Sequence, residues 1–215
     1  MNPPEELVTT LALAGSPTGH QAVLRSVVDT ARGVFGARAA SITGFDAATN
    51  ELVFEAVSGE GEDFLVGERF SAGRGIAGWV LMSAEPMVVD DLTDHTVFDR
   101  ALAESTRYVP KALMAAPLVH GDRVLGVLEV LDRDRGQRSA LRDLDWLGLF
   151  AAQAAHALAL VRQARTARRV LHGEESAELA EVMEVIRAYG ALPADRRAAG
   201  RTLMQALAGA LRATP

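Results

Sequence analysis

The chain contains no cysteine, and this one absence closes several chemistries together: disulfide frameworks, thiolate metal sites, thiol nucleophiles and thioether attachment of a chromophore. Lysine is almost missing as well; Lys111 stands alone, and every other basic side chain apart from histidine is arginine. Positive charge is in the minority, with 22 basic against 28 acidic residues and a net charge of -6. A field of that sign repels phosphate backbones and anionic lipid surfaces, so neither nucleic acid nor a membrane is expected as a partner. No apolar stretch reaches the roughly 18 uncharged residues needed to span a bilayer. Met1 to Leu13 carries Glu5 and Glu6 and no basic leader, so it does not read as a secretory signal, and the expected location is cytoplasmic.

What the chain does have is apolar material. Of its 215 residues 49% are hydrophobic, enough for one substantial core and a helical appendage. Pro3, Pro4, Glu5 and Glu6 suit a first helical turn, so residues 1–16 read as a short N-terminal helix. A second helix, about Gly19 to Phe35, places Val23, Val27, Ala31 and Val34 along one face, with Gly36 as its C-cap. Ala39 to Phe45 and Glu51 to Val57 then read as an antiparallel hairpin, and Ser58 to Gly67 as a loop. A short helix over Gly75 to Ser83, a strand over Met87 to Val89, and a helix over Thr96 to Ser105 capped by Asp91 or Thr93 follow. Ala112 to Val119 and Arg123 to Leu131, joined by His120-Gly121-Asp122, form a second hairpin in which Pro117 marks a bulge or an edge.

Asp132 to Arg138 reads as a solvated charged loop, and from Ser139 a long helix runs to about His172. This helix has two apolar faces, Leu144, Leu147, Ala151, Ala155, Leu158 and Val161 on one, Phe150, Ala157, Leu160, Ala164 and Leu171 on the other. Two faces need two partners, the sheet and a second subunit. Two more amphipathic segments, one around Leu179 to Tyr189 and one around Leu203 to Leu211, complete a helical extension over residues 163–215. Its Arg196, Arg197 and Arg201 are too diluted by alanine for a DNA-binding unit.

Gly73, Gly75 and Gly78 spell G-x-G-x-x-G, and Met87 to Val89 runs into Asp90 and Asp91, which imitates a dinucleotide fingerprint. The lead-in Gly67 to Ala72 is not a buried parallel strand, and the helix that follows has under three turns, so the βαβ context is missing. Gly73 and Gly75 then permit a tight turn, and Gly78 lets the helix pack closely. The start of that helix, Arg74 to Ala77, remains able to hold an anionic group. Asp91, Thr93, Asp94 and His95 lie together at a helix start, where capping explains Asp and Thr without catalysis.

The order of these pieces resembles a GAF domain. The resemblance is carried by the first hairpin, by "GERFSAGRGIAGWV", "EPMVVDDLTD" and "AAPLVHGDRVLGVLEVLD", and by "LRDLDWLGLFAAQAAHALA", with Pro117, Leu118, Gly121, Gly126 and Val127 at the family's hairpin positions. It covers about Pro17 to Val161. It implies an α+β fold with an antiparallel sheet of about six strands, helices on one face and a small-molecule pocket on the other, over a domain of residues 17–162. It also implies a sensory role, commonly as a dimer through the terminal helices. The asparagine-lysine dyad of the family's cyclic-nucleotide binders is missing, since Asn2 and Asn50 are the only asparagines. Without cysteine, a covalent bilin is excluded and the family's methionine sulfoxide reductase chemistry is closed. Haem-binding relatives use a histidine; of the five here only His95 is placed to serve, and a helix-cap histidine is the simpler reading.

The residues expected to line the pocket are Phe64, Phe70, Ile76, Trp79, Val89, Phe98, Tyr108, Met114 and Leu128, with Arg74, Asp90, Asp91 and Arg107 as polar anchors. The expected protein is a non-enzymatic, cytoplasmic sensor of an unidentified small molecule, a homodimer through Ser139 to His172. No output domain fits within 215 residues, so the signal is expected to leave through the tail or a downstream signalling protein. An interaction module with a collapsed pocket is the alternative, and an NAD-dependent oxidoreductase using Gly73-Gly75-Gly78 a more distant one.

Overall fold

A computed structural model of the chain describes residues 17–134 and 140–172. The N-terminal helix expected over residues 1–16 and the tail segments beyond residue 172 lie outside the described residues, as does Ser139. The chain divides into a unit Ser16–Gln163 and a second unit of Met1–Gly15 with Ala164–Pro215.

Helix α1 (Pro17–Phe35) leads into strands β1 (Ala39–Asp46) and β2 (Glu51–Gly59) and the short strand β3 (Arg69–Ser71). Helix α2 (Gly75–Ser83), strand β4 (Met87–Val89) and helix α3 (Arg100–Ser105) follow, then strands β5 (Leu113–His120) and β6 (Arg123–Leu131) and helix α4 (Ala140–His172). The strands form one six-stranded antiparallel sheet in the order β3-β2-β1-β6-β5-β4, the α+β fold expected from the sequence. Local chemistry sets its turns. His120 pairs with Arg123, leaving Gly121 and Asp122 as a two-residue loop whose glycine takes φ 62. The β5–β6 register slips between Pro117 and Val119, where proline has no N–H to give to the ladder. Gly36, at φ 57, ends α1: its N–H reaches the Gly33 carbonyl, and the Ala37 N–H reaches that of Arg32 at 2.9 Å.

Strand alternation sends side chains into two separate apolar layers. On one face Ala40, Ile42, Met114, Ala116, Leu118, Leu128 and Val130 pack under α1 and α4. On the other Leu52, Phe54, Leu113, Ala115 and Val127 pack under α2 and the segments around it. Helix α1 buries Leu24, Val28, Ala31 and Phe35, whereas Val23, expected inward, is half exposed. The difference is a one-residue slip in the stripe, about 100° of helix rotation. Helix α4 buries Leu147, Ala151, Ala155, Leu158 and Val161 against the sheet, and Phe150 meets Phe35 edge-on at 6.0 Å. Arg142–Thr166 is long and apolar enough to cross a membrane by length and composition; packing under the sheet accounts for one side of that apolarity.

The stretch after β6 corrects one reading. Asp132 and Arg133 are tied in rather than solvated. The Asp132 carboxylate accepts from the Lys111 and Ala112 N–H groups at 2.8 and 2.9 Å and from the Tyr108 hydroxyl. Arg133 pairs with Asp143 of α4 at 3.3 Å, both side chains buried, and with Asp90 at 3.2 Å. These two residues lock the end of β6 to the entry of β5, to the end of β4 and to α4.

Gly126 is the tightest point of the sheet. It pairs with Gly44 of β1, and a Cβ on it would lie 1.9 Å from the Thr43 carbonyl oxygen, a backbone atom that cannot rotate away. Gly126→Ala is therefore expected to cost about 3 kcal/mol, measured as a lowered urea midpoint of the full chain.

Candidate functional site

The second layer is built from short elements pinned by backbone contacts. Gly75 starts α2 at φ 64, and a Cβ on Gly78 would stand 2.6 Å from the Ala72 carbonyl, so α2 lies directly on the turn that precedes it. Gly73 has neither constraint, which narrows the expected role of the glycine triplet to two of its members. The preceding β3 is a three-residue antiparallel strand on the edge of the sheet, so no βαβ unit surrounds the triplet and the dinucleotide reading is withdrawn.

Arg74 precedes α2 and turns its guanidinium to Asp99 at 2.7 Å. Asp99 also accepts from the Leu102 N–H at 2.9 Å, which makes it the N-cap of α3. This corrects the expected cap: α3 starts at Arg100 rather than Thr96, and Asp91 instead bonds the Thr93 N–H and hydroxyl. The Arg74 guanidinium and the Leu102 amide hold the Asp99 carboxyl below its usual range, and Asp99 raises Arg74 in turn. The charge an anion would need at the start of α2 is thus already committed.

Between this layer and the sheet lies a cavity of about 90 Å³. Its apolar wall includes Phe54, Phe70, Ile76, Phe98, Leu102 and Leu113; Ser41, Glu60, Arg74, Asp99, Thr106, Tyr108 and Glu129 supply its polar atoms. Of the expected pocket residues, Phe70, Arg74, Ile76, Phe98 and Tyr108 lie on this wall. Val89 is buried in the same layer without reaching the cavity. Trp79 is half exposed, and Phe64 sits at the surface under the Arg107 guanidinium, 4.6 Å from its ring centre. Asp90 and Asp91 border a separate open groove with Tyr108, Lys111 and Arg133. Met114 and Leu128 require correction. They are fully buried on the opposite face, under α1 and α4, because on each strand they sit one position out of phase with the cavity-facing Leu113 and Glu129. His95 lines neither space.

Glu129 is the residue that the sequence reading missed. It sits on β6, the strand next to the middle of the sheet, paired in register with Ser41 on one side and Ala115 on the other. Its side chain is partly buried and lines the cavity. Among the described residues it has no hydrogen bond and no ion pair, so burial alone pushes its pKa from 4.5 up to about 7. The signal was present: a single charge inside Val127-Leu128-Glu129-Val130, at the alternation position opposite Leu128. Tyr108, also on the wall, donates its hydroxyl to Asp132, and burial with that carboxylate beside it raises its pKa to about 12.

One antiparallel sheet with helices α1 and α4 on one face and a small cavity under short helices on the other is a sensory or regulatory fold. A family model described as GAF domain matches residues 18–159, and the chain belongs to that family. No curated protein sequence matches. Similar solved structures include the GAF domain of a phosphoenolpyruvate-protein phosphotransferase from Coxiella burnetii, at 21% identity and TM-score 0.57 over 68% of this chain and 84% of that one. The GAF-B domain of DevS from Mycobacterium smegmatis is 22% identical, TM-score 0.53, over 70% of this chain and 98% of that one. A free methionine-R-sulfoxide reductase from Neisseria meningitidis, solved with its substrate, is 22% identical, TM-score 0.55, over 72% and 86%. At such identities the likeness is one of fold.

The buried carboxyl makes stability pH-dependent. The unfolded chain releases this proton near 4.5 and the folded chain near 7, so its contribution to stability is complete below about 4.5, declines through that interval, and is lost above about 7. The amount is about 3 kcal/mol. Glu129→Gln, which cannot ionise, should therefore be more stable than wild type by up to that amount above about pH 8 and lose the advantage in acid, read from urea unfolding across pH.

Proposed function

We propose that the chain is a non-enzymatic sensory module that holds one small molecule between the sheet and helices α2 and α3 and passes its state to the terminal helices of a cytoplasmic homodimer. One observation carries the reading. Along β6 the side chain of Glu129 faces the cavity, while those of Leu128 and Val130, its immediate neighbours, are buried against the layer of α1 and α4. A ligand that shifts this strand shifts the helix layer with it, since packed interiors transmit strain.

Binding rather than turnover is supported by the cavity wall. Among the described residues it carries no histidine, its tyrosine hydroxyl is held by Asp132, Asp99 is engaged by Arg74 and the α3 amide, and Glu129 has no second uncommitted acid or base beside it. The dimer is supported by Trp146, Leu149 and Leu160 on α4, exposed at 47%, 65% and 53%. Apolar surface of that extent along a helix that already buries its other side suits a second copy of the same helix. The extension over residues 163–215 and a downstream signalling protein would then receive the signal.

One observation favours a second reading, a ligand-free interaction module: about 90 Å³ is small beside the roughly 300 Å³ at which ordinary ligand pockets begin. Native mass spectrometry of the full chain purified from its own host separates the two. The sensor reading expects a dimer with one bound metabolite per chain; a clean dimer with no adduct, and no metabolite that raises its Tm, establishes the interaction module instead. For the interface, Leu149→Asp is expected to convert the dimer to monomer in sedimentation, with unfolding stability changed by no more than about 0.5 kcal/mol. A dimer that persists removes this face of α4 as the interface.

A further inference from the structure

The cavity holds a carboxylic acid that no described residue partners. Glu129 stands on a strand flanked on both sides, where an apolar residue would fill the space at no electrostatic cost, and burying an unpaired carboxylate is expensive. Every other charged group on the wall is accounted for. Arg74 is bound to Asp99 at 2.7 Å, and Glu60 pairs with Arg38 at 3.7 Å. The hydroxyls of Thr106 and Tyr108 donate elsewhere, to the Ala103 carbonyl and to Asp132. Ser41, across the ladder from Glu129, makes no hydrogen bond with its side chain among the described residues. The wall therefore offers a carboxyl and a hydroxyl side by side, both unsatisfied, framed by aromatic rings.

We infer that the cavity selects a compact monoamine, its ammonium group paired with the Glu129 carboxylate and received by the Ser41 hydroxyl, its apolar body against Phe54, Phe70 and Phe98. The sign follows from the wall, which among the described residues carries Glu60, Asp99 and Glu129 against one cation, Arg74. An anion would meet Glu129 with no free cation to receive it. A neutral apolar molecule would leave the carboxyl buried and still unpaired. An ammonium brings three donors and no acceptor, the complement of what is vacant. An amino acid would add a carboxylate that has to compete with Asp99 for Arg74. Size agrees: about 90 Å³ accommodates a ligand on the scale of a short alkyl or single-ring amine and no nucleotide.

This rests on the small-molecule reading above, and its test is arranged so that the two can fail separately. The full chain is titrated calorimetrically with matched probes of one skeleton: n-butylamine and benzylamine, the corresponding alcohols n-butanol and benzyl alcohol, and the carboxylates butyrate and benzoate. The amines should bind about tenfold or more tightly than the alcohols, and the carboxylates least. Glu129→Gln should abolish that preference, weakening the amines by about tenfold or more while leaving the alcohols unchanged or stronger. The preference within wild type needs no variant, so it reads out even if Glu129→Gln folds poorly. Alcohols or carboxylates that bind as well as amines, or amine affinity untouched by Glu129→Gln, overturn the inference and leave the sensor reading standing. Binding by none of the probes overturns it as well, and the sensor reading is then decided by the mass of the native protein.

Discussion

Strand β6 has to satisfy two hydrophobic layers at once. It is hydrogen-bonded to β1 on one side and β5 on the other, so beyond the exposed Arg123 its side chains are committed to the helix layer or the cavity layer. Period-2 alternation then leaves no freedom: Leu128 and Val130 belong to α1 and α4, Val127 and Glu129 to the other side. A slip of one residue would place Glu129 under α4 and Leu128 in the cavity, which fixes the register against both neighbours. Gly126 contributes to the same end, because only a residue without Cβ lets β6 approach Thr43 so closely.

The ends of this strand are held by arginines rather than by more apolar packing. Arg133, just beyond β6, carries the buried ion pair with Asp143 near the start of α4. Farther along the helix Arg162 donates to the Phe45 carbonyl of β1 and the Leu125 carbonyl of β6, at 2.6 and 2.8 Å. Helix α4 is therefore clamped to the sheet at two points about five turns apart, one towards each end of β6, with the alanine-rich seam of Ala151, Ala154 and Ala155 between them. Small residues along that seam let the helix lie close, and the charge-assisted contacts fix where along the strand it lies.

The element order, the two hairpins and the extent of α2 were legible from periodicity and turn residues, which act locally; of the second face expected on α4, Phe150 and Ala157 pack in the sheet-side core, while Leu160 is exposed. The misreadings have one common cause, a partner distant in sequence. Asp99 rather than Asp91 caps α3 because Arg74 stands beside it. Asp132 and Arg133 look like a solvated loop until Tyr108, Lys111 and Asp143 are brought to them. Met114 and Leu128 look like pocket residues by hydrophobicity, and only the register of three strands shows which face they take. Glu129 was visible as one charge in an apolar run, yet its meaning depends on what the opposite wall provides. Pocket composition was read from hydrophobicity, whereas the site is defined by the one group that hydrophobicity leaves unsatisfied.

The two walls of the cavity differ in how they are built, and that difference sets how the site can respond. The sheet wall is made of paired strands whose backbone bonds run on both sides of β1 and β6. The opposite wall consists of the nine-residue α2, the six-residue α3 and the turns around them, joined across their ends by the partly exposed Arg74–Asp99 pair. Helices that short have no independent stability, and a partly exposed ion pair is screened by solvent. Any change of volume is thus taken up by α3 and its neighbours, the low-stability side of the fold. Glu129, on the stiff side, keeps its place while the wall opposite adjusts, so charge is read at a fixed point and shape at a yielding one. A site divided in this way selects first by the sign of the ligand and only then by its outline, and the rigid strand that bears the charge is the one that also bears the helix layer.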